Sequence, residues 1–222
     1  MASRCIPAAG LVLRWGLLVS VGAAVRPRLL APGVVLIPDV LSEEASSELL
    51  ERLAVDLPWK VETDDFGTQG RPICYFGDEG CAFSFVGCYL EPRPWPGAHV
   101  LAARSKVANA CKCEPEELTA CLANLYLDNQ GHIPYHHDEV RAHGAKKIVA
   151  VLSLGGPRQM NLRRQSDLVE VTSVDLTPGS VLLMRDDAHE HFEHELPLRR
   201  GDPRRISLTF RSIQPGFEIP PG

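Results

Sequence analysis

No C-x2-C pair occurs anywhere in the 222 residues. None of the seven cysteines, at 5, 74, 81, 88, 111, 113 and 121, sits with histidines at zinc-finger spacing. A structural zinc site of that kind is therefore excluded, and the odd count argues against a closed disulfide framework. Reduced cysteines, packed as small hydrophobes in an intracellular protein, are the expectation. Aspartate and glutamate are missing from residues 1–38, whereas Arg4, Arg14, Arg26 and Arg28 are spread through them. Long apolar runs are missing as well. Residues 11–25 are apolar apart from Arg14 and Ser20, too short and too interrupted for a membrane span. There is no internal repeat and no low-complexity tract. Nor is there a surplus of positive charge: at a formal net charge of -5, any nucleic-acid surface has to be a local basic patch.

What remains suits one domain with a short extension, and the hydrophobic fraction of 45% suffices for a real core. Residues 1–32 read as a basic, acid-poor, poorly ordered leader. An organellar transit peptide, a signal peptide with a short apolar core and a leader without any address all fit it. The expected location is intracellular, in the nucleus or an organelle. The domain is expected over 33–213, with a tail over 214–222.

Within the domain, 34–37 reads as a strand. Ser42 caps a helix with Glu43 and Glu44 in its first turn and Ala45, Leu49, Leu50 and Leu53 on one face. Pro58 stops that helix. Residues 60–97, rich in Gly, Pro and aromatics, read as loops and hairpins, with a strand at Phe83, Phe85 and Val86. A second helix is expected over 98–110, packing through Leu101, Val107, Ala108 and Cys111. From Cys121 onward, short apolar runs at 122–127, 148–154, 159–163, 169–176, 181–184, 191–196 and 206–213 alternate with turn signals. That texture predicts a sandwich, jelly roll or barrel after the helices.

Three features carry chemistry. His136 and Asp138 lie two apart, so at a strand end both point to one side and offer a nitrogen and an oxygen to one ion. His189, His191 and His194 fall in a later run, and one of them would complete two histidines and a carboxylate, the ligand set of non-haem iron oxygenases. Spacing does not choose among the three; the two that do not ligate are expected at the surface. In the strand around 205–211, Arg205, Ser207, Thr209 and Arg211 face one side, and an inward arginine needs an anion. A dicarboxylate co-substrate would supply one.

Together these segments resemble the AlkB family of Fe(II)/2-oxoglutarate-dependent dioxygenases. Asn124-Leu125-Tyr126 before His136-x-Asp138 is similar to its N-x-Y…H-x-D segment. Gly179-Ser180 before His194-Glu195-Leu196-Pro197 is similar to its G-S…H-x-L-P segment, which selects His194. Residues 205–211 are similar to its R-x-N-x-T-F-R strand, with Ser207 in place of the asparagine. Arg71, Phe76-Gly77-Asp78-x-Gly80, Phe83-x-Phe85-x-Gly87, Pro92-x-Pro94-Trp95 and Trp59 resemble the hairpin of the nucleic-acid-repair branch. The resemblance implies an α+β fold, with helices from the N-terminal half packed on a double-stranded β-helix. It implies iron at His136, Asp138 and His194, 2-oxoglutarate at Asn124, Tyr126, Arg205, Ser207 and Arg211, and O2 as oxidant. It further implies oxidative demethylation of N-methylated bases in DNA or RNA, releasing formaldehyde, succinate and CO2, with the base taken out of its stack. Arg71, Tyr75 or Phe76, and Glu139 are the candidate substrate contacts. Where repair members carry further acids after H-x-D, this chain has Glu139, then Val140 and Arg141. A phosphate path is expected along Arg141, Lys146, Lys147, Arg158, Arg163, Arg164, Arg199, Arg200 and Arg204. The same chemistry on a protein or lipid, or a non-catalytic nucleic-acid-binding module of the same fold, are the alternatives. No stable protein partner and no membrane are expected.

Overall fold

Gly33 turns the chain at φ +73°, a conformation that side chains resist, and a Cβ there would meet the Arg185 carbonyl oxygen at 2.6 Å. The turn folds β1 (Arg28–Ala31) antiparallel onto β2 (Val34–Ile37). The sheet thus reaches back to Arg28, into the 1–32 stretch read as a leader: the four residues of β1 pair with β2, and Ala31 is buried. The computed structural model describes residues 26–64, 67–68, 70–85, 88–127, 131–143, 146–198, 201 and 203–217. The targeting readings of 1–25 lie outside the described residues.

Helix α1 (Glu43–Asp56) begins as expected, with the Ser42 hydroxyl accepting from the Ala45 N–H at 3.2 Å. Leu50 and Leu53 are buried, but Ser46 takes the third buried place and Ala45 is exposed. Two short hairpins follow, β3 (Thr63–Asp64) with β4 (Gly67–Thr68), and β6 (Phe83–Phe85) with β7 (Cys88–Leu90); β5 (Ile73–Gly77) runs between them. Helix α2 (Ala98–Cys111) buries Val100, Ala103, Val107 and Cys111, a stripe at helical spacing. Leu101, expected on that stripe, points outward.

The remaining strands are β8 (Ala120–Tyr126), β9 (Ile133–His136), β10 (Val149–Gly155), β11 (Arg158–Arg164), β12 (Glu170–Leu176), β13 (Val181–Met184), β14 (Phe192–Leu196) and β15 (Arg205–Arg211). A one-turn helix, α3 (Ala188–His191), precedes β14, so His189 and His191 stand on a helical turn and not on the strand expected for them. Seven strands form the major sheet in the order β1-β2-β13-β10-β15-β8-β5, and four form the minor sheet, β12-β11-β14-β9. Two antiparallel sheets face each other and the helices cover one of them, which is the jelly-roll arrangement.

Alternation along β15 shows how the layers arise. Ile206, Leu208 and Phe210 pack toward α1 and α2 in one apolar cluster, while Arg205, Ser207, Thr209 and Arg211 face the space between the sheets. Met160, Leu162, Val174 and Leu182 close that space at one end in a second cluster. Tyr75, Phe83, Cys88 and Leu122 form a third under the hairpin. Part of the expected C-terminal tail belongs to this cluster: Gln214 N–H donates to Ala142 at 2.7 Å, Gly216 N–H donates to Gly80 at 2.9 Å, and Phe217 packs beside them. None of the six described cysteines stands in a disulfide. No helix among the described residues is long and apolar enough to cross a membrane.

Candidate active site

A cavity of about 490 Å³ opens between the two sheets. It is lined by His136, Asp138 and His194 at one place and by Asn124, Tyr126, Arg205 and Ser207 at another. Apolar walls come from Val151, Met160, Leu176, Leu182 and Leu196. A concave, mostly apolar space with a few convergent polar groups is the usual form of a small-molecule site.

The two histidines are brought together by register. His136 on β9 stands directly opposite His194 on β14, so both rings project to the same face, with centroids 4.3 Å apart. Nδ1 of His136 lies 2.9 Å from the Pro134 carbonyl oxygen. A carbonyl only accepts, so Nδ1 carries the proton and Nε2 is left to face the cavity. Asp138, just past the end of β9, places Oδ2 3.9 Å from Nε2 of His194. Its Oδ1 accepts from Nη2 of Arg211 at 2.7 Å. Burial alone would raise the Asp138 carboxyl, but Arg211 and the neighbouring histidines outweigh it and hold the group well below the usual carboxylate range. Burial, with His136 adding to it, pushes His194 down to about 3. The donor set is therefore an ionised Asp138 carboxylate, with one oxygen turned toward His194, and a neutral His194 imidazole opposite the His136 ring.

That chemistry fits a divalent metal of the non-haem iron type, with one carboxylate oxygen and two imidazole nitrogens on one side. Neighbouring ligands of such an ion stand about 3 Å apart for bonds near 2.1 Å. The 3.9 Å separation is wider, and no group of three His, Cys, Asp or Glu among the described residues is closed to ligation distance as it stands. The donor chemistry and shared face, not a closed coordination sphere, are the basis for assigning the metal here.

Arg205 is the other pole. It is 2% exposed, and its Nη2 donates to Oγ of Ser153 at 2.9 Å. Nε and Nη1 are buried without a hydrogen-bond partner. The guanidinium lies 4.9 Å over the Tyr126 ring, and no carboxylate among the described residues pairs with it. Burial pulls its pKa down, which states the cost of keeping this charge dry. A buried arginine with free donors facing a cavity is a carboxylate site. Beside it, Asn124 Nδ2 donates to Ser207 Oγ at 3.3 Å, and Asn124 Oδ1 accepts from Arg71 Nε at 2.9 Å. Ser207 and Asn124 are cross-strand partners, as are Arg205 and Tyr126, so these four residues form alternate rungs of one ladder, separated by the Ile206–Leu125 pair. The shorter Ser207 is thus reached by its neighbour.

Several expectations need correction. Arg211, expected on the co-substrate, lines the cavity and also holds Asp138, with its guanidinium 4.4 Å over the Phe83 ring. Tyr75 and Phe76, expected against a base, are 4% and 1% exposed. The Tyr75 hydroxyl donates to the Cys81 carbonyl oxygen, and Phe76 meets Trp95 edge-on at 5.5 Å in the helix-side core. Phe83 is the hairpin aromatic that lines the cavity. His189, expected at the surface, is buried with Nε2 3.2 Å from the Lys147 carbonyl oxygen, whereas His191 is exposed as expected. Glu139 does line the cavity, but Arg141 binds both of its carboxylate oxygens. The presumed phosphate path is also largely paired. Lys146 meets Glu117, Lys147 meets Glu190, Arg163 meets Glu193, Arg164 meets Asp167 and Arg204 meets Glu51. Arg158 is buried and donates to Pro197. Arg199 and Arg200 lie outside the described residues. Sequence reasoning missed Ser153, whose signal was a lone hydroxyl in the apolar run of β10. It also missed His132 and His137 on the cavity wall, for which the sequence carries no signal.

Comparison with known proteins agrees with this geometry. The family model described as the 2OG-Fe(II) oxygenase superfamily matches residues 33–211. The DNA oxidative demethylase ALKBH2 of Mus musculus is 32% identical over 153 residues, which cover 65% of this chain and 62% of that protein. The alpha-ketoglutarate-dependent dioxygenase alkB homolog 3 of Rattus norvegicus is 26% identical over 204 residues, covering 85% of this chain and 67% of that one. The match therefore spans less than two thirds of ALKBH2. Among solved structures, the one titled "The structure of OsALKBH1" superposes with a TM-score of 0.58 at 19% identity, covering 84% of this chain and 100% of that chain. That likeness concerns the fold alone.

Proposed function

Because the chain belongs to the 2OG-Fe(II) oxygenase superfamily, we propose that it oxidatively demethylates N-methylated bases in DNA or RNA, consuming 2-oxoglutarate and O2. The observation that carries the reading is the pairing of two poles in one cavity: the His136, Asp138 and His194 donors, and Arg205 with buried donors to spare. The demethylase relatives direct the reading to nucleic acid. When bound, iron with 2-oxoglutarate and O2 supplies the oxidant that hydroxylates the N-methyl group, leaving succinate and CO2.

The chain's own residues do the rest. Arg205 binds the remote carboxylate of the co-substrate through donors that have no other partner. Tyr126 stacks beneath that guanidinium, and Ser153 fixes one end of it. Asn124 and Ser207 offer polar groups next to it. Arg211 orients Asp138 so that one carboxylate oxygen stays turned to the histidines. The apolar walls exclude water from the reacting methyl group. The hydroxymethyl product then loses formaldehyde, and the ring nitrogen keeps the bond's electron pair and becomes the repaired base.

The test is a panel of methylated oligonucleotides incubated with iron and 2-oxoglutarate and read by mass spectrometry. Demethylated base and formaldehyde in equal amounts are expected. Vigorous 2-oxoglutarate decarboxylation with no turnover of any methylated oligonucleotide would sink the reading. One observation favours a second reading, the same oxygenation on a protein or lipid: the cations that would grip phosphates are occupied by carboxylates. Localisation is likewise a proposal, an intracellular, nuclear or organellar address, checked by imaging a fluorescent fusion of the full chain.

A further inference from the structure

Three arginines, Arg71, Arg205 and Arg211, line the cavity against two carboxylates, Asp138 and Glu139. Arg211 is bound to Asp138, and Arg205 belongs to the co-substrate in the reading above. A substrate therefore meets Arg71, Glu139 and the imidazoles of His132 and His137.

Glu139 does not present a bare negative charge to that space. The Arg141 backbone N–H donates to Oε1 at 2.7 Å, while its Nε and Nη2 donate to Oε2 at 2.9 and 2.7 Å. Both oxygens are engaged by one residue, and the pair is electrically neutral seen from the cavity. Arg71 is oriented by its bond to Asn124, and its remaining guanidinium N–H groups are donors only. The wall thus offers a positive charge and donors, with the one acidic acceptor already taken.

Alkylated bases divide into two chemical classes before such a wall. 1-Methyladenine and 3-methylcytosine are cationic near neutral pH and carry amino donors beside the alkylated nitrogen. 1-Methylguanine and 3-methylthymine stay neutral and carry a carbonyl oxygen there. A cation beside Arg71 is repelled and its amino group meets donor against donor; charge is the deciding difference, since 3-methylcytosine also has a carbonyl, and 1-methylguanine an amino group, on the other flank of the alkylated nitrogen. A carbonyl oxygen accepts from Arg71 and loses nothing. We propose that this pocket selects neutral, carbonyl-bearing N-methylated bases over cationic ones, and that Arg141 sets the preference by holding Glu139. This inference rests on the demethylase reading above, and Arg141 is a positioning residue in it.

The test uses single-stranded oligonucleotides of one sequence, each carrying one of the four bases. Binding to the iron- and 2-oxoglutarate-loaded protein is measured by fluorescence anisotropy without O2, and turnover by mass spectrometry with O2. The neutral bases are expected to lead by at least tenfold in both Kd and kcat/KM. Arg141→Ala, at a side chain 67% exposed, removes no core contact and is expected to shrink that ratio at least fivefold by improving the cationic bases. Arg141→Lys is expected to keep most of it. A wild-type protein that favours the cationic bases, or a ratio unmoved by Arg141→Ala, overturns the inference. Binding in the expected order with no turnover of any base overturns the demethylase reading and leaves the selectivity standing.

Discussion

Arg205 and Arg211 lie on one strand face and are both buried, yet their surroundings assign them opposite tasks. Arg211 has its anion within the fold; Arg205 does not. Arg205→Ala is therefore expected to weaken 2-oxoglutarate binding by 2 kcal/mol or more, roughly 30-fold, as read by calorimetric titration. Arg211→Met acts instead on the metal. Asp138 loses the group that keeps it ionised and oriented, and metal affinity is expected to fall about 10- to 100-fold in a Mn(II) or Fe(II) titration. His143 gives a pH effect apart from the ligands. It is buried, Nδ1 meets Ser212 Oγ at 3.3 Å, and Nε2 has no partner. Burial first, then Arg211, push it down to about 3 from the ordinary 6.5 of a histidine. The unfolded chain takes up this proton as pH falls below 6.5, whereas the folded chain holds out until about 3. The stability contributed is thus present above 6.5 and lost as pH falls toward 3, with a slope approaching about 1.4 kcal/mol per pH unit. Denaturant titrations between pH 7.5 and 4.5 should show a shallower loss in His143→Asn than in the wild type.

At the scale of elements, the site depends on strands being held in register. Gly131, where β9 approaches β8, has φ +83°, and a Cβ there would come within 2.7 Å of the Tyr126 ring. Gly131→Ala is expected to cost about 1–3 kcal/mol and to disturb the Tyr126 stack under Arg205, so Tm and 2-oxoglutarate affinity should fall together. Phe76→Ala is the contrasting case. Its ring belongs to the core beneath α1 and α2, and its removal is expected to cost about 3–5 kcal/mol in stability while leaving Kd for a methylated oligonucleotide unchanged below the melting range. A loss of binding with stability intact would restore Phe76 to the substrate site. The elements were largely legible in the sequence. The 181–184 run became β13 without a shift, and Ser42 caps α1 as read. What was not legible is local: the helical turn at His189 and His191 looks like strand because alternating polar and apolar residues do not distinguish one turn from two strand positions.

For the whole molecule, the charge pattern sets how a polyanion would be met. Carboxylates hold Lys146, Lys147, Arg163, Arg164 and Arg204, and the chain carries a net charge of -5. Each such cation would have to leave its partner to reach a phosphate and would leave a carboxylate facing it. Few counterions are then released on binding, so the slope of log Kd against log salt is expected to stay below about 3 for a 20-nucleotide strand, against about 4–7 for a protein that neutralises about 6–10 phosphates of a single strand. Anisotropy titrations from 50 to 200 mM salt measure it, and a steep slope would show that the surface pairs open to receive phosphates.

The proposed metal ligands His136 and Asp138 and the proposed co-substrate arginine Arg205 were legible in the sequence, because two-residue spacing and strand alternation are local properties of the chain, while only the resemblance to ordered motifs singled out His194. The tertiary structure alone decided who partners whom. It gave Arg211 to Asp138 and Arg141 to Glu139, sent Phe76 inward while Phe83 came to the cavity, and placed His194 opposite His136. The reason is physical. Asp138 is neutralised by a residue 73 positions away that only the pairing of sheets brings within reach, and even the short-range Arg141–Glu139 pair depends on a loop conformation that no periodicity in the chain encodes.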